Sequence, residues 1–224
     1  MIWAISDLHF GHRNILKMER TQFSTIEEHD QYILNSLTSW YEEKAKDNDE
    51  LWVLGDFGDT DRLPDFVSCF DGVKYVKLVF LYGNHDYLED LPKFQYHFDV
   101  VHLYPVYLSQ RVVLSHEPVY PIAPFMVNVH GHLHAAKLDT PNHISVSIND
   151  INYSPLNFKI LNSALGKVEQ RNMKFLWEPF AEAYKFKHKK RTDVVCDPKT
   201  GKIDLAASRA CQKIYRANNP QIYE

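Results

Sequence analysis

Short apolar runs, each closed by a polar cluster, recur along this chain. The pairs are MIWAIS with DLHFGH, LWVLG with DFGD, YVKLVFLY with GNHD, RVVLS with HEP, and FMVNV with HGHLH. Runs this short and this continuously apolar predict strands covered on both faces. A helical pattern fills 25–46 between the first two. Ser24 or Thr25 stands where a cap belongs, Glu27 or Glu28 can answer it, and Ile26, Ile33, Leu34, Leu37, Trp40 and Tyr41 fall on one stripe. A shorter helix is expected over 61–70. After residue 86 the pattern turns to strands with short connections, in VVHLYPVYL, RVVLS, HISVSI and LNFKIL. Together these predict an α/β protein with two packed sheets flanked by helices. Periodicity weakens from about residue 166, where DLAASRACQKIYRA is a helix candidate.

Length and charge then divide the chain. At 224 residues it can bury one full core with some remainder. Residues 1–165 hold 12 lysines and arginines against 22 aspartates and glutamates, whereas 166–224 hold 13 against 7. The expected organisation is therefore a domain over 1–165 and a basic C-terminal extension over 166–224. The KFKHKKR run in that extension reads first as a solvated face and second as a phosphate-backbone contact. Cys69, Cys196 and Cys211 are odd in number, widely spaced and outside any CxxC pattern, which argues against a disulfide framework and against thiolate zinc. No apolar run reaches the roughly 20 residues of a membrane helix, so a cytoplasmic protein is expected.

Candidate chemistry sits at the strand ends. Asp7 and His9 are two apart, as are His132 and His134; Asp56 follows Gly55, Asn84 follows Gly83, and His116 follows a strand directly. Glycine lets the chain turn sharply enough for the next side chain to project from the sheet edge, where α/β proteins build their sites. Four imidazoles, two carboxylates and one amide oxygen, with no thiolate, suit manganese, iron, nickel or zinc. One ion takes about four protein ligands. Seven imply a pair of divalent ions, with Asp56 able to bridge them and residual positive charge left for a hydroxide and a phosphate oxyanion.

The series D-x-H, GD, GNHD, H and GHxH, running from Asp7 to His134, resembles the calcineurin-like metallophosphoesterase superfamily. The longer first motif DLHFGHRNI, together with INYSPL, is similar to small bacterial and phage members. This resemblance implies a four-layer fold, two mixed sheets between helices. It also implies that Asp7, His9, Asp56 and His134 surround one ion while Asp56, Asn84, His116 and His132 surround the other, Mn²⁺ being the expected metal. His85, outside both sets, would donate a proton to the leaving oxygen. Asp59 occupies the family position that orients this histidine, the lesser alternative being a cap for a helix before TDRLPDF. Asp86 is expected to brace the turn. His12, Arg13 and Asn14 follow the first motif closely enough to reach a phosphate; alternatively His12 packs and Asn14 caps a helix. His29, His97, His102, His130, His143 and His188 read as core or surface histidines.

The expected activity is hydrolysis of a phosphate ester. Thr60 stands where the serine/threonine protein phosphatases of the superfamily carry arginine, which weakens that reading. Only 24 residues separate Asp59 from Asn84 and 29 separate Asp86 from His116, leaving little room for an inserted cap. An open site favours a phosphodiester substrate, a nucleotide or small diester, over a phosphomonoester. The alternatives are a nuclease using the basic extension and a non-catalytic scaffold; the scaffold would be expected to have lost ligands, and none is missing.

Overall fold

The computed structural model describes residues 1–166 apart from 124, 135, 137 and 139. The basic extension and its helix candidate lie outside the described residues. The strands are β1 (Ile2–Ile5), β2 (Asp49–Leu54), β3 (Val76–Leu81), β4 (Val100–His102), β5 (Val106–Ser109), β6 (Val112–Leu114), β7 (Val127–His130), β8 (His143–Ser145) and β9 (Leu156–Asn157). One sheet has the order β4-β3-β2-β1-β9 and the other β5-β6-β7-β8. Both are mixed: β1 to β4 run parallel with β9 antiparallel at the edge, and β6 to β8 run parallel with β5 antiparallel.

Alternation along the strands separates two cores. Trp3, Ile5, Leu51, Val53, Leu78 and Phe80 face the helices, whereas Ala4, Trp52, Leu54, Val79 and Leu81 meet Val112, Leu114, Val127 and Val129 of the second sheet. The helices are α1 (Ile15–Met18), α2 (Ile26–Glu43), α3 (Leu63–Ser68) and α4 (Leu91–His97). In α2 the expected capping box is closed by Thr25 and Glu28. Glu28 N donates to Thr25 Oγ1 at 3.1 Å and Ser24 N to Glu28 Oε2 at 2.8 Å. Phe57, Phe66, Phe80 and Phe94 are at most 1% exposed and interlock under the loop after β2. Burial of each stabilises the fold by roughly 1.5–3 kcal/mol.

Two expectations are corrected. A helix, α4, interrupts the region read as strands only; Pro92 at its start is the signal, and one buried residue, Phe94, is too few to print a helical stripe. LNFKIL forms just the two-residue β9 before the chain turns helical over 159–166, because β9 pairs only with Trp3 and Ala4 at the sheet edge.

Register decides where the site lies. Ile5 pairs with Val53 and Leu54 with Leu81, so the residues following β1, β2 and β3 emerge side by side. A bridge between Ser6 and Ser147 brings the end of the second sheet to the same edge.

Candidate metal centre

Five of the seven proposed ligands have left-handed backbones: Asp7 (φ 59°), His9 (50°), Asp56 (56°), His132 (68°) and His134 (49°). Such conformations cost about 1–3 kcal/mol each in residues other than glycine, and persist where the surroundings over-determine them. Here they turn each side chain back over the sheet edge. Glycines make room. A Cβ on Gly55 would come within 2.6 Å of Gly83 Cα and of His116 Nδ1, and one on Gly131 would strike Ser6 Oγ and Asp7 Oδ2.

One atom each from Asp7, His9, Asp56 and His134 lies within 4.8 Å of the others. His9 Nε2 is 3.5 Å from Asp56 Oδ2 and 3.3 Å from His134 Nε2, which in turn is 3.8 Å from Asp7 Oδ1. Asp7 also accepts hydrogen bonds from His132 N and Ser6 Oγ. On the other side of Asp56, Oδ1 lies 3.3 Å from His116 Nε2. Asn84 Oδ1 is 2.9 Å from that nitrogen and 2.8 Å from His132 Nδ1. All seven candidates therefore gather at one edge, in two groups that meet at Asp56.

Electrostatics follow from this crowding. Burial drives the His9 imidazole down to about 2, over the attraction of Asp56. Burial opposes charge on His116 as well, but the hydrogen bond and carboxylate of Asp56 outweigh it and raise His116 to about 9. Against burial, the same partnership holds Asp56 down to about 2. His116 Nδ1 faces Leu54 O at 2.8 Å, which turns Nε2 toward the site.

The remaining sequence candidates behave differently. His85 is exposed, its ring 5.6 Å from that of His9 and 6.2 Å from that of His12. Asp59 Oδ1 accepts from Asp61 N at 3.0 Å, capping a 3₁₀ turn over Thr60–Arg62, and among the described residues no hydrogen bond joins it to His85. Asp86 braces the turn as expected, accepting from Gly83 N (2.7 Å), Asp56 N (2.8 Å) and Phe57 N (3.0 Å). Arg13 and Asn14 are exposed on the loop after His12, and the Asn14 side chain does not cap α1.

Sequence reading missed the layer beneath. Arg20 is fully buried and donates through Nη1 to Leu8 O (2.9 Å), through Nη2 to Asp7 O, and through Nε to Asn149 Oδ1 (3.0 Å). Its Nη1 also meets His29 Nε2 at 2.7 Å. His29 Nδ1 reaches Asp30 Oδ1 at 2.9 Å, and Asp30 accepts from Gly11 N at 3.1 Å. His29 and Asp30 lie on the stripe of α2, but nothing in MERTQF marks Arg20 as buried.

The family model for calcineurin-like phosphoesterases matches residues 1–220. The chain belongs to the calcineurin-like phosphoesterase family. An uncharacterized protein of Methanocaldococcus jannaschii is 28% identical over 182 residues, 74% of this chain and 92% of that protein. A protein of unknown function from Aquifex aeolicus shares the fold, with a TM-score of 0.56 and 22% identity over 73% of this chain and 98% of that one. A nuclease from Pseudomonas putida is 20% identical with a TM-score of 0.37, covering 59% of this chain and 60% of that one. Members of this phosphoesterase family act on phosphate esters and bind divalent metals. No helix among the described residues is long and apolar enough to cross a membrane.

The residues at this edge of the phosphoesterase suit a cation. Asp56 Oδ2 is buried and has no hydrogen-bond partner. An unsatisfied buried carboxylate oxygen costs upwards of about 1–3 kcal/mol, and a divalent ion seated among Asp7, His9 and His134 would satisfy it.

Proposed function

We propose that the protein is a dinuclear metal-dependent phosphoesterase favouring phosphodiesters, a nucleotide or small diester, with phosphomonoesters as the lesser class. The observation that carries this reading is the double exposure of Asp56, whose Oδ2 faces His9 while Oδ1 faces His116. Asp7, His9, Asp56 and His134 would hold one ion, and Asp56, Asn84, His116 and His132 the second, with Mn²⁺ the preferred metal. When bound, such a pair supplies Lewis-acid charge to a phosphoryl oxygen and lowers the pKa of a water to near neutrality.

The chain's own groups do the rest. His85, exposed with its ring 5.6 Å from that of His9, would pass a proton to the departing oxygen. Asp59 Oδ2, unused by the N-cap bond, is the oxygen left to orient it. His12, whose ring lies 5.4 Å from that of His9, would grip the non-bridging phosphate oxygens together with Arg13 and Asn14, the next two residues along the chain. The test is hydrolysis of a chromogenic diester and monoester with Mn²⁺, beside metal stoichiometry. Turnover with two ions bound per chain is expected; two ions with no turnover of any phosphate ester would favour a scaffold.

A nuclease reading rests on the basic balance of 166–224, 13 positive against 7 negative. Neutralising Lys185, Lys187, Lys189, Lys190 and Arg191 should depress cleavage of single-stranded DNA and spare the small diester. Equal rates on both would remove this reading.

A further inference from the structure

The ligands of the Asp7 half come from distant parts of the chain, and two adjacent residues outside every ligand motif hold both ends. Helix α1 stops at Met18, and Glu19 follows as its C-cap. Glu19 Oε2 lies 2.8 Å from His134 Nδ1, close enough for an ion pair though not aligned as a hydrogen bond. With Nδ1 turned to Glu19, it is Nε2 of His134 that faces Asp7 and His9. Arg20, the next residue, points the other way and is fully buried. Its guanidinium fastens the carbonyls of Asp7 and Leu8, the two peptide units that carry the chain through the left-handed turn at Asp7 toward His9.

Among the described residues the other half is braced from elsewhere, by Asp86 accepting from the peptide N–H groups of Asp56 and Gly83. His116 is oriented by a backbone carbonyl, and His132 and Asn84 meet each other. We infer that Glu19 and Arg20 are positioning residues that set the metal affinity of the Asp7–His9–Asp56–His134 half and leave the Asn84–His116–His132 half untouched. This rests on the two-ion reading above. The physical basis is general: a carboxylate behind a ligating imidazole fixes its ring and raises its basicity, and a donor on a ligand's own peptide fixes the backbone that aims it.

The experiment is calorimetric titration of the full-length metal-free protein with MnCl₂, comparing wild type, Glu19→Ala, Glu19→Gln and Arg20→Lys, with thermal unfolding of each in chelator. Glu19 is partly exposed, so its variants should fold even if the Arg20 change does not. In Glu19→Ala, Kd for one ion should rise by about 10–100-fold, Kd for the other should hold within about twofold, and metal-free unfolding should not shift. Glu19→Gln, which keeps an acceptor oxygen, should recover part of the loss. Equal weakening of both ions, weakening of neither, or a lowered metal-free unfolding temperature in Glu19→Ala would overturn the inference. A wild-type titration that ends at one ion refutes the two-ion reading itself. The role of Glu19 is then supported by a weaker single ion in Glu19→Ala and overturned by an unchanged one.

Discussion

The two halves of the centre are built differently. Asp7, His9 and Asp56 are 0, 2 and 1% exposed, and the turn that presents the first two is fastened from below by Arg20 and Asp30. Of the ligands that belong to the other half alone, only His116 is buried; Asn84 stands exposed beside His85, and His132 is half-buried. Left-handed backbones and buried polar groups concentrate in the first half and open coordination in the second. A pre-set deep half suits an ion that stays, while the open half suits one that shares its ligands with an incoming phosphate.

The largest effect is expected where the halves meet. Asp56→Asn replaces one of the facing oxygens by an amide that cannot bridge, so both ions should weaken and turnover should fall to background. Metal content by atomic emission beside the rate checks this; one ion retained with a near-normal rate would break the idea that the halves share a ligand. Next comes the exposed His85, outside both sets of ligands. His85→Ala should keep both ions and lower the rate by about 10²–10⁴, least for esters with good leaving groups. A drop of the same size for every leaving group would deny His85 the proton-donor role.

Legibility in the sequence also differs between these layers. The gathering of the candidate ligands could be read because polar side chains recur at strand ends in a fixed order, Asp56, Asn84 and His132 each directly after a glycine, and the register of β1 to β3 sets three of those ends side by side. The support under them could not. Arginine is far more often exposed than buried, so Arg20 carries no local signal of its burial; that depends on Asn149 arriving from a remote part of the chain and on α2 folding back to bring His29 against it. Asp59 shows the opposite limit. Its sequence allowed a cap or an orienting partner, and the carboxylate oxygen now bonded to Asp61 N reflects the local preference of aspartate for a free N–H two residues on.

A smaller effect should separate the halves through their common floor. Gly55 has φ of 81°, and the nearest atoms a methyl there would meet belong to Gly83 and to the His116 ring. Gly55→Ala should destabilise the metal-free protein by about 1–3 kcal/mol and weaken the His116 ion more than its neighbour. Urea unfolding in chelator, followed by Mn²⁺ titration, reads both. A loss below about 0.5 kcal/mol would show that the floor yields.

The smallest effect concerns the brace of the deep half. Burial first, with the charge of Arg20 adding and the hydrogen bond to Asp30 opposing, keeps the His29 imidazole below its usual 6.5. Protonation would put an N–H against Arg20 Nη1, which already occupies Nε2. Since the folded state resists a proton that the unfolded chain accepts, stability is fully present above pH 6.5 and falls as pH drops through and below that value. His29→Gln removes this one site, so the decline of metal-free stability between pH 7.5 and 5 should become shallower, by at most about 1.4 kcal/mol per pH unit. Thermal unfolding of both proteins in chelator across that range measures the difference between slopes, in which protonation of the other histidines cancels. Parallel profiles would mean that His29 accepts its proton without disturbing Arg20, and that the deep half is held by the guanidinium alone.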